Sequence, residues 1–443
     1  MTTDTEAIAE ATTASYYKEA LDNTYNGVAR LAQLGLSLPP EMRDLQTVIN
    51  WPRLVVDSLE ERLDIEGFRL SGLEKTDERL WGWWQANRLD EESSLGHTEA
   101  LVQGQAAVFI GAGDDDSEIP LITVESLRGV RIKTSPRSGK VQWAARIYDT
   151  DDRGAASRAA VYRVGVTRYY AKDQAAWVLI DEIFHDLPWP TVVPLTNRAR
   201  LADRFGRSEM ADIIPIADAA CRSITNLQGA QELLAVPSQY VFGATAEDFV
   251  DQDGNQLGTW EGYLGRLKTI EDTEGKVQQM PGADLRNFTE VIRFYAQTVS
   301  SLAGLPPEYL GVSNDNPSSA DAIRMAETRL IKRAERRARA FGESWEQVMR
   351  IAMYIVDGKL PDDAHRLETV WRDPGTPTYA SKVDAISKLM AVKDSQGRSL
   401  VPREIAWEDL GYSAEKQRRI LALESDDPAV RYLAATDALS DVP

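Results

Sequence analysis

Between Ala320 and Tyr354 apolar side chains return every three or four positions, no proline interrupts them, and Ala, Glu, Arg and Met dominate. This pattern predicts one long helix. At roughly 100° per residue, Ile323, Leu330, Ile331, Ala334, Ala338, Phe341, Trp345, Val348 and Met349 share an arc of about 100°. Arg329, Lys332, Arg333, Arg336, Arg337 and Arg339 take the opposite side, and Glu327 is the one clear polar intrusion on the stripe. The run RLIKRAERRARA is therefore one face of an amphipathic helix, and such faces are more often solvated or salt-bridged than grips for nucleic acid.

Elsewhere the period changes. Helical stretches over Thr13–Leu34 and Asp77–Gly104 flank NWPRLVVDSLEERLDIEGFRL. Then AAVFIG, PLITVES, GVRIKT, VQWAARIYD, AAVYRVGVTRYYA and AAWVLIDEI follow as short apolar or alternating runs separated by Gly, Asp and Ser, the pattern of an antiparallel meander. The proline-rich LPWPTVVPLTNRAR reads as an extended connector closing an α+β region. After Ser208 the pattern is mostly helical. Ser208 is placed to cap a helix through Leu234, with Pro215 near its first turns. A second helix starts with Asp284 as N-cap and ends at Gly304. Its residues Leu285, Phe288, Ile292, Tyr295, Val299 and Leu302 form a narrow seam suited to one or two neighbouring helices. Turn signals in DQDGN, LGTWEGYLG and DTEGK mark 236–283 as a small β-rich module between the two helices. Past Asp357 a smaller helical region follows, and the last dozen residues read as disordered.

Composition narrows the function classes. A chain of 443 residues suggests several domains or subdomains, and 43% hydrophobic with 27% charged residues is ordinary folded protein. The N-terminus has neither the basic start nor the apolar core of a signal peptide, and no run approaches the roughly 18 apolar residues of a membrane span. A single cysteine, Cys221, precludes an internal disulfide framework and fits a reducing cytoplasm. The net charge of −19 opposes coating of DNA, since a negative field repels phosphate, but not passage of DNA.

Candidate chemistry is sparse. Gly139, Gly275 and Gly358 precede lysines, yet no GxxxxGK[ST] phosphate loop exists. His97 opens an HTE string without the cysteine pair of a zinc deaminase, and its simpler reading is capping or packing. His185 and His365 lack partners at metal spacing, and DQDGNQ fails as a calcium loop at Gln256 and Gly262. Trp81, Trp83 and Trp84 sit at spacings more typical of core than of a stacking platform. No catalytic, cofactor or metal site is expected.

Several long strings, in order from about Tyr16 to Arg419, resemble the portal proteins of tailed bacteriophages, particularly siphophages of actinobacteria. They are NWPRLVVDSLEERLDIEGFRL, WGWWQANRLDEESSLGHTEALVQGQAAVFIG, VVPLTNRARLADRFGRSE, ADLRNFTEVI, LAGLPPEYLGVSNDNPSSADAIRMAETRLIKRAERRARAFGESWEQVMR and WRDPGTPTYASKVDAISKL. The resemblance implies an α+β portal fold. Its parts would be a wing (1–207), stem helices (208–235 and 284–304), a β-rich clip (236–283), a tunnel loop (305–319), a long kinked helix (320–356) and a helical crown (357–443).

The resemblance further implies a ring, usually of twelve copies, at a capsid vertex, with double-stranded DNA passing through it. The implied partners are the terminase large subunit, a head-to-tail adaptor and the major capsid protein, with no membrane. It puts Arg286, Glu290 and Arg293 on the second stem helix. The tunnel loop then offers Ser313, Asn314, Asp315, Asn316, Ser318 and Ser319, with no positive charge to pin phosphates. The basic face, Arg329, Lys332, Arg333, Arg336 and Arg337, is expected to form salt bridges to the wing or to an adjacent subunit. Two rival classes are a different connector or scaffold without a DNA channel, and an enzyme assembled from acids such as Asp151, Asp152 and Asp181. The turn-like, polar surroundings of those acids disfavour the enzyme.

Overall fold

The computed structural model describes residues 2–13, 17–31, 47–70, 76–113, 118–174, 176–235, 239–242, 276–279, 285–312, 320–375, 379–393, 397, 399, 401–412 and 414–425. They fall into two compact units, Met1–Pro374 and Gly375–Pro443. Helix α1 (Asp4–Thr12) starts where the Thr3 hydroxyl accepts from the Glu6 N–H and the Glu6 carboxylate accepts from the Thr3 N–H. Of the single helix expected over Thr13–Leu34, the described helical part is only α2 (Glu19–Tyr25). Helix α3 (Trp51–Glu60), capped by Asn50, precedes strand β1 (Ile65–Arg69). The helix expected over Asp77–Gly104 is two helices, α4 (Glu78–Ala86) and α5 (Leu89–Gln103). The break has a tertiary cause. The Asn87 amide donates to the Trp83 and Pro120 carbonyls and accepts from the Ile122 N–H, and Arg88 turns left-handed at φ 55°.

The strands are β2 (Gln105–Gly111), β3 (Leu121–Glu125), β4 (Val130–Thr134), β5 (Val141–Thr150), β6 (Ala156–Arg163), β7 (Val166–Asp173), β8 (Ala176–Phe184) and β9 (Val192–Thr196). Strands β4 to β8 are the predicted antiparallel meander in sequential order, whereas β3-β2-β9 form a separate sheet. The supposed connector LPWPTVVPLTNRAR thus contains a strand. Val192–Thr196 pairs with Gln105–Phe109, and Pro194 is tolerated because β9 is an edge. The buried Ala7, Ile8 and Ala11 of α1 close over the meander at Trp143, Ala145, Ala159, Val161 and Tyr170.

Ser208 caps a 3-10 turn, Glu209–Asp212, rather than the long helix itself, and α6 (Ile214–Ala235) follows. Strands β10 (Gln239–Phe242) and β11 (Lys276–Gln279) pair antiparallel, and the rest of the β-rich module lies outside the described residues. Helix α7 (Arg286–Ala303) has Leu285 at its N-cap, whose apolar side chain makes no cap bond, and it stops at left-handed Gly304; Asp284, the expected N-cap, lies outside the described residues. Helix α8 (Ala320–Asp357) is the long helix. Its predicted stripe is the centre of the core, with Leu330, Ala334, Phe341, Trp345, Val348 and Met349 all 0% exposed. Glu327, the polar intrusion, accepts from the Tyr309 hydroxyl at 2.9 Å and pairs with Arg62. Strand β12 (Glu368–Trp371) pairs with β1, within the first unit, which runs through Pro374. The second unit holds α9 (Tyr379–Ala391), α10 (Arg403–Asp409) and α11 (Ala414–Ser425), with Ile386 and Ala406 buried.

Candidate functional site

Helix α7 presents three faces. Phe288, Ile292, Tyr295, Ala296, Val299 and Ala303 are at least partly buried and form the seam. Leu302, expected on that seam, is 47% exposed, because Ala303 occupies the inward position at the last turn. Arg286, Glu290, Arg293, Gln297 and Ser301 recur at i, i+4, i+7, i+11 and i+15 as an exposed polar stripe. Val291 and Phe294, at 42% and 63% exposure, flank it. The loop residues Ser313, Asn314, Asp315, Asn316, Ser318 and Ser319 lie outside the described residues.

The basic face of α8 is largely consumed within the chain. Glu209, its side chain 0% exposed, accepts from Arg333 Nη2 and Arg337 Nε, both at 2.6 Å, with Arg198 at 3.9 Å. Arg333 also donates through Nη1 to the Leu302 and Ala303 carbonyls, and Arg329 donates to the Ser301 carbonyl. Those carbonyls are the unpaired, partially negative end of α7, where guanidinium charge is favourable. Lys332 pairs with Glu335 one turn on. The expected partners of this face were the wing or a neighbouring subunit. For Arg333 and Arg337 the partner is the acid opening the turn before α6. Arg336 and Arg339 point outward with no ion pair among the described residues.

Local sequence explains why Glu209 arrives there. Gly104 and Gly206, at φ 98° and 92°, sit against Arg207 and against the carbonyls of Asn197 and Gly104, where a Cβ on Gly206 would collide with both oxygens. Asn197 donates from its backbone to Gly104 O and from its side chain to Arg207 O. This strap holds 197–208 to the end of α5, and the Ser208 hydroxyl then accepts from the Met210 N–H. Burial alone would raise the Glu209 pKa. The charges of Arg337, Arg333 and Arg198 overcome that effect and hold the carboxyl below its ordinary range. Sequence reading did not single out Glu209; the available signal was an acid beside a capping serine ahead of an apolar helix.

The other candidates are structural. Trp83 and Trp84 are core, and Trp84 meets Trp345 edge-on at 5.0 Å. His97 is fully buried, stacked on Phe341, and accepts from Trp345 Nε1. Asp151 caps a turn by accepting from the Arg153 and Ala155 N–H groups, and Asp181 accepts from the Glu182 N–H. No group of acids, histidines and cysteines among the described residues has a metal-binding arrangement.

The profile of the phage portal protein family, SPP1 Gp6-like, matches residues 4–420. The chain belongs to the phage portal protein family. It is 39% identical over 424 residues to the portal protein of Mycobacterium phage L5, covering 93% of this chain and 86% of that one. The portal protein of Mycobacterium phage D29 is 39% identical over 415 residues, 92% of this chain and 84% of the relative. A chain of the virion of a native gene transfer agent particle aligns at TM-score 0.45 and 12% identity over 88% of this chain and 99% of that chain. Portal proteins are structural components of the virion that form rings at a capsid vertex. No helix among the described residues is long and apolar enough to cross a membrane.

Proposed function

We propose that this portal chain assembles into a closed ring of twelve copies, the usual number in the family. Double-stranded DNA passes through its centre during packaging and ejection. The observation that carries the reading is the family match over 4–420, together with the stripe Arg286, Glu290, Arg293 on α7. In this reading α6 and α7 are the stem and residues 313–319 approach the DNA. A conduit must not pin phosphates, because each neutralised phosphate adds affinity by counterion release. The stripe mixes charge signs, 313–319 carries no Lys or Arg, and each copy adds −19 to the ring. The chain is a passage and not a motor; the work comes from a separate ATPase, the terminase large subunit, docking at the β-rich module around β10 and β11. A head-to-tail adaptor replaces it there, and the major capsid protein surrounds the ring. Assembly takes place in the host cytoplasm and ends in the virion.

Electron microscopy and native mass spectrometry of the purified chain, alone and co-expressed with its capsid protein, test this reading. Rings with an open centre are expected. Monomers or dimers in both preparations would overturn it, and a closed particle without a hole would favour a scaffold.

A further inference from the structure

Four separate stretches of the first unit meet at one ion pair, Arg333 with Glu209. Arg333 lies on α8, reaches the last carbonyls of α7 with Nη1, and reaches Glu209 with Nη2. Glu209 opens the turn that leads into α6, and Arg198 joins it from the segment after β9. Helices α6 and α7 pack against each other, and both add apolar side chains to the core: Ala217 and Ala220 on one, Ala296, Val299 and Ala303 on the other, with Ile216, Ile292 and Tyr295 partly buried against it. Apolar burial is non-directional, so by itself it defines the direction of a helix pair weakly. A fork of charge-assisted bonds has a fixed geometry, and a dry one tolerates little deviation.

We propose that Glu209 is the positioning residue of the stem: by holding Arg333 between the entry of α6 and the exit of α7, it sets the direction in which the helix pair leaves the body. The consequence for DNA passage rests on the reading of α6 and α7 as the stem. The tie itself rests on the bonds alone. Arg337 steadies the same carboxylate from the next turn of α8, and Arg329 secures a further carbonyl of α7. The basic run on α8 thereby joins the start and the end of the stem to the longest helix.

The test is a distance distribution between spin labels on the exposed positions Arg293 on α7 and Val164 in the β6–β7 turn, each changed to Cys in a Cys221→Ser background. In rings, one labelled copy is diluted among unlabelled ones. With Glu209 intact the distribution is narrow. Glu209→Gln keeps the shape and removes the charge, and it is expected to widen the distribution at least two-fold or shift its mean. Arg337→Gln, which leaves Arg333 in place, is expected to give a smaller widening, and it decides the matter if Glu209→Gln does not fold. A distribution as narrow as the parent's in every variant that folds would overturn the proposal and give the stem direction to the apolar contacts. The measurement needs no ring, so a chain that never assembles would sink the ring-and-conduit reading while leaving this result intact.

Discussion

His97 and Glu209 are two titratable side chains buried in the first unit, and they are kept in different charge states. His97 sits among Phe341, Trp345 and Trp371 with its Nε2 accepting from the Trp345 indole. Its Nδ1 is buried without a hydrogen-bond partner among the described residues, and burial pushes its pKa down to about 3, so it is neutral at any working pH. Glu209 is as deeply buried, yet Arg337, Arg333 and Arg198 keep it ionised. The difference lies in what the surroundings must accomplish. Around His97 one apolar core is being filled, and a neutral ring fills it as an aromatic would. Around Glu209 the ends of separate segments meet, each with unpaired backbone groups or charge, and an ionised hub satisfies them together.

The largest expected effect breaks the hub. Glu209→Leu leaves Arg333 buried without its acid, and loss of one partner of a buried pair costs about 3–5 kcal/mol. Urea unfolding should show that loss, and a change below about 1 kcal/mol would mean the arginines simply turn to solvent.

The histidine gives the next effect, through pH. Because its folded-state pKa lies below the unfolded value, the unfolded chain binds the proton first, and stability falls as pH drops below about 6.5, by up to about 1.4 kcal/mol per pH unit. His97→Gln, which retains an acceptor near the Nε2 position, should remove that slope in the difference between the two proteins. An unchanged slope would show that water reaches the ring.

Glu99 should slope the other way, over a narrower window and with a smaller total effect. Burial, helped by Asp22 and opposed by Arg128, pushes its pKa up to about 7. The folded chain therefore keeps a proton that the unfolded chain releases above about 4.5, and stability declines as pH rises from there to 7. Glu99→Gln should flatten that decline, as read by unfolding midpoints across the window.

The smallest effect concerns the arginines the hub does not use. Arg336→Glu with Arg339→Glu should change the stability of the single chain by no more than about 0–1 kcal/mol, as for exposed charges generally. A clear loss of ring assembly with unchanged stability, sharper at low salt, would place a neighbouring subunit's acids on this face.

The legible parts of the molecule were those whose cause is local or periodic. The stripe of α8, the meander β4–β8 and the Gly304 stop follow from spacing and from one residue's backbone freedom. The core roles of His97 and of Trp83 and Trp84 were readable because isolated polar or aromatic residues at helical spacing have few other uses. The misreadings share one origin, a partner distant in sequence. Asn87 ends α4 by bonding to the backbone at Pro120 and Ile122, and β9 exists because β2 offers it an edge.

By itself the sequence determined the α+β class, the long amphipathic helix, the acidic balance and, through ordered strings along most of its length, the portal family. Each of these is a property of composition or of short-range pattern. Only the tertiary structure decided what the basic face of α8 is for. Spacing places the six cations on one side of a helix, but a charge has no preferred partner until the chain brings one within a few ångströms. Glu209 lies 124 residues from Arg333 along the chain, and the turns at Gly104 and Gly206 are what deliver it there.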